Sequence, residues 1–320
     1  MAPRRPFTVD PVLTAVAIAY RNPAINLIAD QVLPRRDVAQ ERFGWTEYPL
    51  AESFSVPELR VGRRSRVGQV EFTGTEKTDE VSDFGIDSPV PNTDIKAAAA
   101  ARAAGTSTYD PEARAVEGVM EMVKLGREMR VANLVQDPAN YATGRKVLLA
   151  GTSQLSDYAN SDPIGVIQAA LDGTLVYRPN LVTMGFAAWS VIRRHPKLLK
   201  AVKGGLTEDG LLTRQQFADL FEIQKLLIGE GFVNTAAKGQ TATLSRVWGK
   251  HIAALYINPQ ANTDQGITWG LTAQFGTEIA GRIDDPNMGL EGGTLVRAGE
   301  RVKELVVAKD TGYLIQNAVA

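Results

Sequence analysis

The sequence has no cysteine and only two histidines in 320 residues. The first absence excludes a disulfide framework, a thiolate nucleophile and a sulfur-rich metal site, and it fits a reducing compartment. His195 and His251 stand far apart and outside any HExxH-type spacing, which leaves a zinc centre or a histidine-based triad without its parts. An excess of one charge is missing too. Lys and Arg number 35 against 36 Asp and Glu, a net charge of −1. Dedicated nucleic-acid binders carry a strong basic excess, so any contact with DNA is expected to be local and weak. Long apolar runs are also lacking, since Leu181 to Ile192 is too short to cross a bilayer. Near the N-terminus, Arg4 and Arg5 precede the apolar run Val12 to Ala19, whose end imitates a signal-peptide cleavage site. Asp10 as N-cap and Pro11 at the first helical position read better as a helix start, and a soluble protein is expected.

What is present is ordinary in bulk and uneven along the chain. Hydrophobic residues make up 44% and charged residues 22%, values typical of folded proteins. A chain of this length buries about 75% of its unfolded surface, enough for two packed domains. Residues 1–43 read as an arm: helical pieces around 11–20 and 23–33 are stopped by Asn22-Pro23 and Pro34, and neither is long enough to be stable alone. Residues 44–95 have strand character without a core. Trp45 to Tyr48 and Val67 to Thr78 alternate as strands do. Their charge is divided, with Arg60, Arg63, Arg64 and Arg66 on one limb. Glu71, Glu76, Asp79, Glu80, Asp83 and Asp87 follow on the next, relieved by Lys77. A two-stranded hairpin of this kind is marginal alone and makes sense if a neighbouring molecule covers it.

The clearest helix is predicted over 110–136. Asp110 caps it, Pro111 starts it, and Glu112 complements the positive end of its dipole. Arg114, Glu117, Glu121, Lys124 and Glu128 form a polar stripe, with Val116, Val119, Met120, Val123, Val131 and Leu134 largely on another face. Residues 160–256 alternate helix and strand. Asp162-Pro163 opens a helix to Leu171; Leu181 to Met184 is a buried strand running into a helix with Phe186, Trp189 and Ile192. Thr213 to Gln216 is a capping box, and Leu226–Ile228 and Ile252–Ile257 are strand candidates. In the last segment, Ile267 to Thr277 pairs with Thr294 to Val307 across a tip running from Asp284-Asp285-Pro286-Asn287 to Gly292-Gly293.

Catalytic, cofactor-binding and metal-ligating residues are not expected. No P-loop, dinucleotide fingerprint, nucleophile elbow or EF-hand loop occurs. Asp284-Asp285 could be a carboxylate pair, but Pro286 and Asn287 make an Asx-type turn the better reading. His195, before Pro196, suits a ring covering helix-terminal carbonyls; His251 reads as an ordinary strand-start residue. The arginine cluster has two competing readings. A DNA patch would need aromatic or further basic support. A contact between subunits needs an acidic partner surface, which Glu76, Asp79, Glu80 and Asp83 could supply in an adjacent copy.

Laid end to end, several segments carry a resemblance. They are the arm Asp10-Pro11 through Tyr20 and Asn22, then Val32-Leu33-Pro34; Ser161-Asp162-Pro163-Ile164; Pro179-Asn180 to Gly185 with Trp189 and His195-Pro196; Val247-Trp248-Gly249-Lys250; and Val296-Arg297-Ala298 through Glu300-Arg301-Val302. In this order they resemble the major capsid proteins of tailed bacteriophages. The resemblance covers nearly the whole chain, although no single motif is diagnostic. It implies the α+β Hong Kong 97-type capsid fold with an N-terminal arm (1–43), an E-loop hairpin (44–95) and a peripheral domain with its spine helix (96–159). An axial domain (160–264) follows, then peripheral-domain hairpin strands returning to the axial domain (265–320).

The function so implied is a non-enzymatic shell subunit of the virion, assembled in the host cytoplasm. Its hexamers and pentamers close an icosahedral head around double-stranded DNA. The partners implied are further copies of the chain, portal and scaffold proteins, and packaged genomic DNA held by weak non-specific contact, with no membrane. Some relatives begin with a scaffolding segment; here the sequence starts at the arm, which implies a separate scaffold or a segment already removed. Some relatives crosslink a lysine to an asparagine, and Lys77 lies on the hairpin, but nothing local marks its partner. Two alternatives stay open on the sequence: an encapsulin-type nanocompartment shell, which shares the fold, and a cytosolic α+β enzyme.

Overall fold

The longest element is the one the sequence caps most explicitly. Asp110 Oδ1 accepts the backbone N–H groups of Glu112 and Ala113 at 3.1 and 3.4 Å, and the helix Pro111–Gln136 runs from there. It ends where Pro138 forbids another turn. Its last carbonyls are not left bare: the Tyr141 hydroxyl donates to Val135 O (2.7 Å) and Asn140 Nδ2 to Leu134 O (2.8 Å), which supplies the partners a helix C-terminus lacks.

The computed structural model describes residues 8–9, 27–47, 54–57, 59–63, 66–70, 73–204, 209–261 and 266–320. Along the chain the elements are β1 (Thr8–Val9), α1 (Ala29–Val32), β2 (Arg35–Asp37), β3 (Arg42–Glu47), β4 (Thr75–Glu80), β5 (Ser82–Pro91), α2 (Asn92–Ala103) and α3 (Pro111–Gln136). There follow β6 (Lys146–Leu148), α4 (Pro163–Asp172), β7 (Leu181–Gly185), α5 (Phe186–Ile192), α6 (Pro196–Lys203), α7 (Arg214–Phe221) and β8 (Lys225–Gly229). The chain closes with β9 (Phe232–Asn234), β10 (Leu244–Arg246), β11 (Ile252–Leu255), β12 (Gly270–Gln274), β13 (Ile279–Asp285), β14 (Gly293–Val306) and β15 (Gly312–Gln316).

Two sheets organise the molecule. The first is built around β14. One edge of that strand pairs with β5 from Gly293 to Val302; its other edge pairs first with β13 and then with β12. β2 adds in parallel beside β12, and β1 beside β13. The N-terminal half of α3 covers this sheet with Val116, Val119, Met120 and Val123 against Val90, Ala280, Val296 and Ala298. The second sheet has the order β6-β15-β11-β7-β8. Its β7 is buried throughout, as expected of a strand covered on both faces. On one face lie α4, α5, α6 and α7, through Ile167, Leu171, Trp189, Ile192, Leu199 and Phe217.

Several sequence expectations meet their structure here. The helix over 111–136, the buried strand entering α5 and the capping box before α7 are all present. The helix expected at 11–20 lies outside the described residues. Within 27–33 only Ala29–Val32 is helical. Of the strand expected over Val67 to Thr78, the described residues show strand only from Thr75, where β4 pairs with β3 from Arg42↔Glu80 to Glu47↔Thr75. Ser82–Pro91, read as part of the hairpin's acidic limb, is instead a full strand of the first sheet. The Ile279–Asp285 strand was missed, since Asp284 and Asp285 look like turn residues although both pair with β14. Asp285 nevertheless makes the Asx turn, its Oδ1 accepting the Asn287 N–H at 3.0 Å. The polar stripe on α3 fails at its end: Glu128 is fully buried, for reasons that belong to the joint between the sheets.

Candidate functional site: a charged joint and two projections

The two sheets meet at the C-terminal half of α3, where Ile28, Val32 and Leu33 pack with Val131, Val135, Trp248 and Trp269. Space for Trp248 comes from two glycines opposite one another in register, Gly185 and Gly229. A Cβ on Gly229 would stand 2.0 Å from the indole, and one on Gly185 would stand 2.2 Å from Gly249 O. Such approaches admit only glycine. The indole N–H thereby reaches Glu128 Oε1 at 2.6 Å. The same carboxylate accepts the backbone N–H groups of Ile28 (2.9 Å) and Ala29 (2.8 Å). These donors open α1, so one buried carboxylate fixes α1, the long helix and the Trp248 loop together. Burial pushes the Glu128 carboxyl above its ordinary value, and its three donors and Arg127 hold it back only in part.

Beside it, Arg127 is 1% exposed. It pairs with Asp30 and donates to Leu33 O and to Thr272 Oγ1, both at 3.1 Å. Arg35 donates to Asp30 Oδ1 (2.8 Å) and forms ion pairs with Glu300 (2.7 Å) and Glu278 (3.2 Å). Arg130 donates to Glu304 at 2.9 Å, and its guanidinium lies 3.6 Å from the Phe84 ring centroid. Burial alone would raise the Asp30 carboxyl, but Arg127 and Arg35 outweigh it and bring it down to about 2. Burial opposes the charge on Arg35 too, yet Glu300 and Asp30 raise its affinity for the proton. In Glu278 burial wins, and the carboxyl is raised despite Arg35 and Lys124. Three arginines and their carboxylates thus tie α1 and β2 to the centre of the molecule.

Two projections leave the body at opposite ends of the first sheet. One is the segment beyond β3 and β4. In it Phe54, Val56, Leu59, Val61, Val67 and Val70 are exposed, Val56 by 83%. Arg60, Arg63 and Arg66 are exposed among them, while Arg64 lies outside the described residues. Of the acidic candidates, Glu76 and Glu80 are exposed. Asp79 pairs with Lys303 (3.2 Å) and Asp83 with Arg301 (3.4 Å), both on β14. Lys77 pairs with Glu47 across the β3–β4 ladder. The other projection is the β13–β14 tip around Leu290, whose side chain is fully exposed.

The pair with the outward look of chemistry is Ser161 and His195, 3.0 Å apart and both buried. His195 caps the start of α6: its Nδ1 accepts the Lys197 N–H at 3.2 Å. The sequence suits the ring to helix-terminal carbonyls; in the structure it accepts the Lys197 N–H instead, because Pro196 begins a new helix. With Nδ1 accepting, the neutral ring carries its proton on Nε2 and donates to Ser161 Oγ. Ser161 in turn donates to Asp157 O at 2.5 Å. Burial, with Lys197 beside it, lowers the His195 proton affinity, against a smaller opposing pull from Asp162. A histidine that donates to the serine cannot take its proton, so the pair is structural. His251 Nδ1 accepts the Asn317 N–H at 2.9 Å, and burial lowers its proton affinity. Among the described residues no cluster of His, Asp and Glu could hold a metal ion, and no helix is long and apolar enough to cross a membrane.

A body of two sheets joined by one long helix defines a fold class, the α+β Hong Kong 97-type capsid fold. Solved structures carry that class. The chain is similar to a phage-related protein from Bordetella bronchiseptica RB50, with TM-score 0.74 and 22% identity, covering 98% of each chain. It is also similar to the capsid of cyanophage P-SCSP1u, with TM-score 0.57 and 11% identity, covering 93% of this chain and 89% of that one. No protein-family model matches. Sequence relatives narrow the class. The chain is 44% identical to the major capsid protein of Pseudomonas phage JBD67 over 98% of both chains. It is 28% identical to that of Burkholderia phage BcepMu over 96% of this chain and 95% of the other. The chain belongs to the major capsid proteins of tailed phages: it is a structural component that forms the icosahedral phage head, not an enzyme. The encapsulin alternative gives way to the 44% identity.

Proposed function

We propose that this subunit builds the head as hexamers and pentamers, with the projection beyond β3 and β4 acting as the E-loop laid over a neighbouring copy. In the same reading α3 is the spine helix, the β14 sheet the peripheral domain, the helix-covered sheet the axial domain, and residues 1–43 the arm. The observation that carries it is the run of exposed Phe54, Val56, Leu59, Val61, Val67 and Val70, interleaved with Arg60, Arg63 and Arg66. Exposed apolar residues gathered in one segment support an interaction site there. Arg60, Arg63, Arg64 and Arg66 would meet acidic surface of the adjacent copy. Glu76 and Glu80 are the better candidates for that surface, since Asp79 and Asp83 are engaged by β14. Portal, scaffold and packaged DNA are the further partners this reading supplies, DNA by weak non-specific contact.

Assembly without DNA tests it. A single exposed ion pair contributes only about 0.2–1 kcal/mol, but every subunit repeats the contact. Reversing Arg63 and Arg66 to Glu should suppress ring and shell formation while leaving the subunit folded. Normal empty shells that package DNA poorly would favour the DNA-facing reading instead.

A further inference from the structure

The β3–β4 hairpin reaches the body through two short connections, and one side chain holds both. Residues 38–41 join β2 to β3, and Val81 is the single residue between β4 and β5. The connections meet where the Val81 N–H donates to Glu41 O at 2.9 Å. Beyond them β3 and β4 form a two-stranded sheet of their own. Such a ribbon is marginal alone, so the direction in which it leaves the body must be set at its root. There Arg301 donates to Glu41 Oε1 at 3.0 Å and pairs with Asp83, two residues past Val81, at 3.4 Å. Lys303, two residues along β14 and so on the same face, pairs with Asp79 of β4 at 3.2 Å. The Arg301 guanidinium lies 5.6 Å from the Phe275 ring centroid, within cation–π range.

These pairs do little for the stability of the subunit. Glu41 is 65% and Asp83 82% exposed, and exposed pairs are weak. Attachment comes from apolar packing, in which Val38 and Phe43 meet Leu271, Ala273 and Leu305, with Trp45 stacked on Phe43. Apolar attraction has no direction, whereas a guanidinium presents its donors in a fixed fork. A fork that grips both connections therefore fixes an angle. The angle has leverage. The ladder from Arg42↔Glu80 to Glu47↔Thr75 is about 17 Å long, so a turn of about 10° at the root carries its far end about 3 Å. Identical subunits close an assembly only when the rotation between neighbours repeats faithfully.

We infer that Arg301, supported by Lys303, is the positioning residue that sets the angle of the hairpin on the body, and through it the curvature at which neighbouring copies meet. The curvature rests on the hairpin being laid over a neighbour; the angle does not, and the two are measured separately. The chain has no cysteine, so spin labels on Val70→Cys, beyond the ladder, and Asn133→Cys, on α3, report the angle in the full-length unassembled subunit. The parent should show one narrow distance. Arg301→Gln should widen the distribution by about 3 Å or more, and Arg301→Lys, which lacks the fork, by less. Urea unfolding should stay at the parental value. In DNA-free assembly read by electron microscopy, Arg301→Gln should broaden the range of shell diameters relative to the parent. A distribution that is broad in the parent, or unchanged in Arg301→Gln, would overturn the inference. Loss of the subunit's fold would do so too, by making the clasp part of the core. A widened distribution with parental shell diameters, or with no assembly at all, would overturn the link from angle to curvature. If the Arg63 and Arg66 reversals leave shells intact, the contact reading fails by itself, and the label distances still decide the role of Arg301.

Discussion

Two groups of arginines divide the molecule. At the joint, Arg35, Arg127 and Arg130 are each matched by carboxylates of the same chain. On the hairpin, Arg60, Arg63 and Arg66 are exposed among exposed apolar residues. A buried arginine must be paired and hydrogen-bonded or it destabilises the fold; an exposed one carries no such demand. The difference teaches where each region gets its order: the joint from within the subunit and, in the function proposed here, the hairpin from the assembly. Changes at the joint should therefore be read in the stability of the unassembled subunit, and changes on the hairpin in assembly.

The largest effect should come from Glu128→Ala. It orphans the N–H groups of Ile28 and Ala29 and the Trp248 indole, and should cost about 3–5 kcal/mol in urea unfolding of the unassembled subunit. Glu128→Gln should recover part of that, because its carbonyl still accepts. A loss under about 1 kcal/mol for the alanine variant would mean that α1 is held by its apolar contacts alone. Next is Gly185→Ala, whose Cβ meets two backbone carbonyls at 2.2 and 2.5 Å. Overpacking of this kind should cost about 1–3 kcal/mol, and Trp248→Phe in the same background should not relieve it, since the obstruction is backbone.

Acid should dissect the joint further. The folded Asp30 carboxyl, at about 2, lies below its ordinary 3.8. Its contribution is therefore fully present above pH 3.8 and is lost as the pH falls through about 2. Glu128 and Glu278, raised by burial, act in the opposite sense: acidification from neutral pH through their folded values relieves the cost of their buried charge. The unfolding free energy of the subunit should thus rise slightly on mild acidification and fall below pH 4. Asp30→Asn should flatten the fall between pH 3.8 and about 2. Since the Asp30 side chain is 61% exposed, solvent screening keeps this effect below that of Glu128→Ala.

Local signals were legible in the sequence where the physics is local. Asp110-Pro111, Thr213 with Gln216, and the continuous apolar run at Leu181–Met184 each name their element because caps and periodicity act within one turn or strand. Long-range pairing was not. Asp284 and Asp285 carry turn chemistry but sit in a strand because β14 offers them partners. Glu128 keeps the polar spacing of its helix yet turns inward, since Ile28, 100 residues away, needs an acceptor. The arginine cluster was visible as composition, but not the engagement of Asp79 and Asp83 by β14.

The smallest effect on the subunit's own stability should come from the hairpin, and this makes it the sharpest test of the division. Arg66 is exposed, as are all the described residues between 54 and 74. Arg66→Ala should change the unfolding free energy of the unassembled subunit by no more than about 0.5 kcal/mol. In assembly the same change should raise the protein concentration needed for shells to form, and added salt should shrink the difference between variant and parent, because screening weakens the parental contact. Arg127→Ala supplies the contrast: it leaves Asp30 and Glu304 without their buried partner, destabilises the isolated subunit, and should do so at all salt concentrations. If Arg66→Ala destabilised the unassembled subunit as Arg127→Ala does, the hairpin would be part of the subunit's own fold, and the contrast between the two arginine groups would collapse.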